Sequence, residues 1–209
     1  MSDDLQDRLG RIYASIDAGD EQDLTKLRAR VVKSGGFVRV YQDFSGGLKD
    51  EQFDNLAYSL IHNIANVPDH ARRWARRNAR ALASVDRAVG ASFETRVMID
   101  LSNNDKHGYP PRNRGRSGRS PRLVNARRVL RMTTGKERGS SVAMTFAPDG
   151  TPQVSGSGSA KAILTGEIAD EQDVHIGDLH DMASRAVEDW ERILQELGAL
   201  PGSNFPADA

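Results

Sequence analysis

The sequence predicts an α+β protein that is mainly α, with a helical bundle and a small antiparallel β-sheet inserted before the C-terminal helix. Through the first half of the chain, apolar residues recur at helical spacing. After an Arg-rich stretch their period changes to two, and the chain then closes with a long amphipathic segment. A chain of 209 residues can bury a core without disulfides. We therefore expect one domain over residues 1–200 and a flexible tail over 201–209.

Five helices and one strand are predicted before the Arg-rich stretch. Pro68 interrupts the third apolar stripe, because proline opens a helix or kinks one. Ser92 is a suitable N-cap, and Gly108 a suitable end, for the helix that follows. A strand is expected to begin at residue 37 and to end by residue 44. The predicted helices cover residues 3–17, 20–33, 50–66 with a restart to 79, 81–89 and 92–107.

The second half is predicted to be a basic loop, a β-meander and a final helix. Residues 109–122 are dense in Pro, Gly, Ser and Arg, which is typical of a flexible loop that cannot pack a core. Alternating segments at 123–132, 140–147 and 159–168, joined by turn signals, predict an antiparallel meander over 123–168. The final helix covers about five turns from Leu179 to Leu197.

The composition excludes several kinds of chemistry. The chain has no cysteine, so it has no disulfide, thiolate zinc site, iron–sulfur cluster or cysteine nucleophile. The acidic N-terminal stretch lacks the basic and apolar regions of a signal peptide. The longest apolar runs are far shorter than the ~20 residues that a membrane span requires. We therefore expect a cytoplasmic protein without membrane contact.

The net charge of zero hides a strongly uneven distribution along the chain. Residues 70–131 carry 16 basic and 4 acidic side chains, whereas the segments before and after them are net acidic. Fifteen of the 16 are arginine, which binds phosphate in a bidentate manner and stacks on bases. A basic middle segment can bind a nucleic acid, or it can pair with acidic parts of the same or a second chain. Both interpretations stay open from the sequence.

The segment that carries most chemistry is LSNNDKHGY, residues 101–109, at the predicted end of a helix. Its imidazole can transfer protons near neutral pH, and its ammonium and amide groups can hold a phosphate. Metal-independent RNA cleavage needs such groups, because a base activates the 2′-hydroxyl and cationic donors stabilise the transition state. Alternatively, His107 and Lys106 simply complement the dipole at the end of a helix.

This segment resembles the signature of the HEPN (higher eukaryotes and prokaryotes nucleotide-binding) superfamily. The signature is an Arg, a polar residue, a His four to six positions after the Arg and, in toxin members, a Tyr two beyond the His. Asn103, His107 and Tyr109 match it, while Ser102 stands at the Arg position. The resemblance implies a helical bundle that dimerises around a shared cleft. We therefore predict a catalytic site in which His107 transfers the proton, Asn103 and Lys106 contact the phosphate, and Tyr109 lies at the edge of the cleft.

A second polar row is predicted on the preceding helix. Asn63, Asn66 and His70 share one face if the helix continues through Pro68, and Arg73 and Arg77 extend that face. If this face meets the end of the 92–107 helix, the two rows complete a polar, cationic cleft. Alternatively, the buried amides and imidazole satisfy each other or the backbone.

No metal or other cofactor is expected. The hard-ligand residues near the last helix occupy its N-cap and acidic first turn, which explains them without a metal. They are Asp173, His175, Asp178, His180 and Asp181.

The sequence therefore predicts an RNA-directed protein of HEPN-like type, either a metal-independent endoribonuclease or a catalytically lapsed RNA-binding relative. Arg112, Arg114 and Arg116 of the loop would hold the RNA backbone, with Arg112 or Arg114 as a substitute for the missing Arg. The expected partners are RNA, a second copy of the chain, and a protein antitoxin or regulator. The alternative is a non-enzymatic interaction module whose basic segment docks on an acidic partner or a second subunit.

Overall fold

The computed structural model describes residues 3–27, 29–34, 37–110 and 114–200, and it confirms an α+β fold that is mainly α. The tail predicted over 201–209 and the loop residue Arg112 lie outside the described residues. The helices are α1 (Asp3–Gly19), α2 (Asp50–Ala65), α3 (Val67–Arg77), α4 (Leu82–Ala91), α5 (Phe93–His107) and α6 (Leu179–Glu196). The strands are β1 (Ala29–Ser34), β2 (Phe37–Gln42), β3 (Arg122–Thr133), β4 (Val142–Phe146), β5 (Pro152–Gly156), β6 (Ser159–Ala169) and β7 (His175–Asp178).

The main core lies where the apolar faces of the helices meet one side of the β3–β6 pair. Trp190 of α6 is fully buried there, together with Ile61 of α2 and Leu101 of α5. Leu164 and Ile168 connect β6 to the same core. Burial of a large apolar side chain stabilises the fold by about 1.5–3 kcal/mol, so these contacts fix α2, α5 and α6 relative to one another.

The joint between α2 and α3 forms at the predicted interruption. Asn66 ends α2 and begins α3, and Pro68 lies in the first turn of α3, where its missing N–H costs no hydrogen bond. Val67 and Pro68 are both buried, so this joint packs against the rest of the protein. The helix restart is therefore a buried joint.

The prediction of a helix over residues 20–33 is wrong. A single 3₁₀ turn at Leu24–Lys26 is followed by β1, which pairs antiparallel with β2. Asp23 accepts a hydrogen bond from the backbone N–H of Thr25 at 3.1 Å, which caps only that short turn. Val31 faces Val40 across the hairpin, and β-branched side chains suit such a paired strand better than a helix.

The single meander predicted over 123–168 also needs correction, although the antiparallel pairing is confirmed. β3 pairs directly with β6, and β7 pairs with the other edge of β6. β4 and β5 form a separate hairpin inserted between β3 and β6. The sequence did not indicate β5 because most of its residues are exposed and show no apolar alternation.

Among the described residues, none of the helices combines the length and apolar content that a bilayer-spanning segment requires.

Candidate functional site

Helix α5 presents the polar residues of the 101–109 segment at its C-terminal end. Ser92 caps the helix by accepting a hydrogen bond from the Thr95 N–H at 3.2 Å, and Gly108 ends it with a φ of 89°. Leu101 and Ser102 are buried, whereas the next turn is largely exposed. Since residues three and four apart share a helix face, Asn103, Lys106 and His107 lie on one side of α5.

A polar cavity of about 180 Å³ lies between the α2–α3 joint, α5 and the Arg-rich loop. Asn66 from the joint, Asn103 and Lys106 from α5, and Arg116 from the loop all line it. The structure thus brings one member of the second polar row to the end of α5. The other lining residues are Ala65, Pro68, Asp69, Arg72, Ile99 and Ser102.

In its described part, the Arg-rich loop contacts α5 through hydrogen bonds that the sequence did not predict. The buried carboxylate of Asp100 accepts hydrogen bonds from the backbone N–H groups of Arg116 at 2.9 Å and Ser117 at 2.7 Å. Gly115 has a φ of +68°, and a Cβ there would lie 2.5 Å from Asp100 Cγ. Asn104 Nδ2 donates to Pro121 O at 2.8 Å. Backbone hydrogen bonds replace the apolar contacts that the loop lacks.

Two cations of the cavity make no ion pair with any residue that the structure describes. They are Lys106 and Arg116, both exposed. Arg72, in contrast, donates to Asp69 at 2.8 Å and to Asp86 at 2.9 Å. Lys106 and Arg116 therefore supply uncompensated positive charge, and the amides of Asn66 and Asn103 supply neutral donors.

His107 and Tyr109 lie outside this cavity lining. His107 is exposed at the end of α5 and makes no hydrogen bond with a described residue. The Tyr109 hydroxyl donates to the Ser120 carbonyl at 3.2 Å, so it contacts the loop. Burial raises the pKa of the Tyr109 phenol although Arg122 opposes the shift, which keeps this hydroxyl a neutral donor.

The residues of the second polar row do not come together at one site in the structure. Asn63 Nδ2 donates to Ser15 Oγ of α1 at 3.3 Å, and His70 is buried in α3. Only Asn66 reaches the cavity. Arg73 and Arg77 are exposed on α3, as is Arg76, which sequence reasoning did not single out.

Part of the predicted RNA-binding loop is paired with an acidic turn at residues 170–173. Arg114 lies 3.7 Å from Glu171, Arg119 lies 3.2 Å from Asp170, and Arg122 pairs with Asp173. Hydrogen bonds from the backbone N–H groups of Gln172 and Val174 and from Arg119 lower the pKa of Asp170, so its carboxylate stays charged. Of the described loop arginines, Arg116 is the one that faces the cavity.

Sequence reasoning missed His62, which contacts α5 beside the cavity. Its Nδ1 lies 2.8 Å from Ser102 Oγ, and its Nε2 lies 2.9 Å from Asp105 Oδ2. The available signal was spacing, since His62 precedes Asn66 by four residues and shares its helix face. In the sequence, Ser102 stands out only because it occupies the Arg position of the HEPN signature.

Within the described ranges, no group of three His, Asp or Glu side chains is arranged to hold a metal ion. The acidic and histidine residues near α6 make other contacts. Asp173 pairs with Arg122, His175 lies 3.4 Å from Glu167, and His180 faces Asp20 at 3.6 Å.

Comparison of the chain with protein-family models, curated proteins and solved structures finds no match. The functional argument therefore depends on the geometry and charge of the site.

Proposed function

We propose that the protein binds RNA through its phosphate backbone, with the cavity between the α2–α3 joint and α5 as the main contact. The observation that carries this proposal is the pair of cations, Lys106 and Arg116, at a cavity that also exposes the amides of Asn66 and Asn103. Lysine, arginine and asparagine are the side chains that commonly contact phosphate oxygens. The 101–109 segment, which resembles the HEPN signature, contributes two of these four residues.

Helix α3 extends the basic surface beyond the cavity. Arg72 lines the cavity beside Asp69. Arg76 follows Arg72 by four residues and Asp69 by seven, so it lies on the same face of α3. Arg73 and Arg77 lie on the adjacent exposed face. A chain of several phosphates can therefore contact α3 while one phosphate occupies the cavity, which favours a nucleic acid over a single small anion.

His107 is the proton-transfer group of this proposal. It follows Lys106 at the exposed end of α5, where an RNA held in the cavity can reach it. An imidazole there can activate a 2′-hydroxyl, and Lys106 and Arg116 can stabilise the charge that develops on phosphorus. The proposed activity is metal-independent endoribonuclease cleavage, or RNA binding alone if catalysis has been lost with the Arg that Ser102 replaces. The HEPN resemblance adds a homodimer and a protein antitoxin or regulator as proposed partners.

A non-enzymatic interaction module is the second candidate. The observation that favours it is the pairing of Arg114, Arg119 and Arg122 with the acidic turn at 170–173. An acidic segment of a partner or of a second copy could replace this turn on the same arginines. Lys106 and Arg116 face the cavity instead, so RNA remains the better-supported ligand.

The test is binding of a fluorescent single-stranded RNA, followed by anisotropy, with wild type and Lys106→Gln/Arg116→Gln. We expect the double variant to lose at least about tenfold in affinity, because two phosphate contacts are removed. The matched control is Arg185→Gln/Arg192→Gln on α6, which removes the same charge from side chains paired with Glu94 and Asp189. Equal affinity of wild type and the cavity variant would refute the proposal.

A further inference from the structure

Three side chains beside the cavity form a continuous hydrogen-bonded chain between α2 and α5. His62 Nδ1 lies 2.8 Å from Ser102 Oγ, and His62 Nε2 lies 2.9 Å from Asp105 Oδ2. Ser102 is 2% exposed, and it is part of the cavity wall. The side chains of His62 and Asp105 are partly exposed at 27% and 39%. The hydroxyl is thus shielded from bulk solvent, and the residue that carries it lines the cavity.

The partners fix the direction of both hydrogen bonds. An ionised carboxylate can only accept, so the imidazole proton lies on Nε2 and points to Asp105. In the neutral ring Nδ1 is then an acceptor, and the Ser102 hydroxyl donates to it. This is the order of roles in a Ser-His-Asp triad, with the two ring nitrogens exchanged.

Ser102 differs from two other helical serines of this protein in the hydrogen bond that its hydroxyl donates. Ser15 donates to the carbonyl of Arg11 at 2.8 Å, and Ser184 donates to that of His180 at 2.9 Å. Such bonds to residue i−4 are the ordinary solution for a serine inside a helix. Ser102 bonds instead to an imidazole 40 residues away in sequence. A purely local hydrogen-bonding requirement therefore does not explain its contact.

We propose that Ser102 is a nucleophile for acyl transfer from a small carboxylic ester that carries a negative charge. Ser102 Oγ attacks the carbonyl carbon while its proton passes to His62 Nδ1, and Asp105 stabilises the resulting imidazolium through Nε2. The C–O bond of the ester then breaks, and His62 returns the proton to the leaving alkoxide. Water attacks the acyl-serine with His62 as base, which releases the acid and restores Ser102.

The cavity determines the substrate class. Lys106 and Arg116 attract the negative charge of the ester, and the amides of Asn66 and Asn103 are available to the oxyanion. A volume of about 180 Å³ has room for the acyl group of a small ester. This activity goes beyond RNA binding and does not depend on it.

The test is covalent labelling of purified full-length protein with a fluorophosphonate, in the absence of RNA, and mapping of the adduct by mass spectrometry. We expect the adduct on Ser102, formed as Oγ displaces fluoride from phosphorus. His62→Gln should slow labelling at least about 100-fold, because the base is removed. Asp105→Asn should also slow it, because Asn does not fix the imidazole tautomer. Ser120→Ala, at another buried serine, should label like wild type.

Circular dichroism establishes that each variant is folded before its rate is compared. If His62→Gln does not fold, Asp105→Asn decides, since Asp105 is exposed at the surface of α5. Folded wild type without an adduct on Ser102, or labelling that neither variant slows, would overturn the proposal. A serine that only joins α2 to α5 predicts no adduct on Ser102. Hydrolysis of 4-nitrophenyl hydrogen succinate in preference to 4-nitrophenyl acetate would support the stated charge preference.

Discussion

At the scale of single residues, Gly115 shows why the Arg-rich loop has its observed position. Its φ of +68° strongly favours glycine, and its backbone passes so close to Asp100 that any Cβ would clash with the carboxylate. The composition of the loop predicted exposure and flexibility. It could not indicate that a buried aspartate on α5 would hold two of its N–H groups, because that contact joins residues 16 and 17 positions apart.

Gly115→Ala should therefore destabilise the protein and move Arg116 away from the cavity. We expect a loss of about 2–4 kcal/mol in the free energy of unfolding, from strain at positive φ together with the clash. Urea denaturation measures this loss. Gly118→Ala is the matched control, since Gly118 also has a positive φ of +72° but has no atom within 4 Å of a Cβ. Equal losses in the two variants would contradict the role assigned to Asp100.

Asp20 connects the end of α1 to β6 and α6. Lys161 Nζ lies 2.6 Å from Asp20 Oδ2, and His180 Nε2 lies 3.6 Å from the same oxygen. Burial raises the pKa of Asp20, but His180 and Lys161 more than offset this effect, so its pKa lies below the ordinary value. His180 Nδ1 accepts from Arg131 at 2.9 Å, because an arginine can only donate.

The depressed pKa of Asp20 predicts a specific acid sensitivity. A carboxyl whose pKa is lower in the folded state stabilises the fold above its unfolded pKa, and this contribution is lost as the pH falls through the folded value. The loss should thus occur below about pH 4. Asp20→Asn should lower stability at pH 7 and weaken the dependence of stability on pH in this range. Thermal unfolding between about pH 2.5 and pH 7 measures both effects, and parallel curves for the two proteins would exclude this role.

At the scale of elements, the helices with clear local signals and the strands β2, β3, β4 and β6 were predictable, whereas β1 was not. Ser92 and Gly108 act on residues within one turn, so the sequence predicted α5 correctly. β1 was missed because its stability depends on β2 and on a turn far along the chain. A Cβ at Gly150 would lie 2.6 Å from Val31 Cγ2. Such contacts have no local signature in the sequence.

The residues of the candidate site that belong to a local pattern were also predictable, whereas a contact between two helices was not. Asn103 and Lys106 follow from one helix period, and Asn66 follows from the helix interruption that Pro68 predicts. His62 was missed because nothing in the sequence places α2 beside α5. Asn63 and His70 were predicted to share a face with Asn66, but Asn63 contacts Ser15 of α1 and neither residue lines the cavity.

The prediction for catalysis concerns His107 at the end of α5. If the protein cleaves RNA, His107→Ala should lower the rate by about 10²–10⁴-fold, which is the usual contribution of a general acid or base. The fold should stay intact, since His107 is exposed. Cleavage should persist in a chelator and should leave a cyclic phosphate. His175→Ala replaces another exposed histidine and is the control. Full activity of His107→Ala, or loss of activity in the chelator, would refute this mechanism.

At the scale of the whole molecule, the folded chain compensates part of its uneven charge. The acidic turn at 170–173 pairs with three arginines of the basic segment, and Asp181 pairs with Arg131. The cations that remain without an ion pair among the described residues include Lys106 and Arg116 at the cavity and Arg73, Arg76 and Arg77 on α3. The net positive charge of residues 70–131 is therefore larger than the charge that stays unpaired in the folded protein. The unpaired cations named above lie at the cavity and on α3.

The salt dependence of RNA binding tests the central claim most directly. Each phosphate contact to single-stranded RNA contributes about −0.7 to the slope of the logarithm of the binding constant against that of salt concentration. Wild type should show a steep slope for RNAs of unrelated sequence, and Lys106→Gln/Arg116→Gln should reduce its magnitude by about 1.4. Neutralising Arg112, Arg114 and Arg116 together should weaken binding alike for all sequences. Binding that is undetectable at low salt, or a slope that the cavity variant leaves unchanged, would contradict the account.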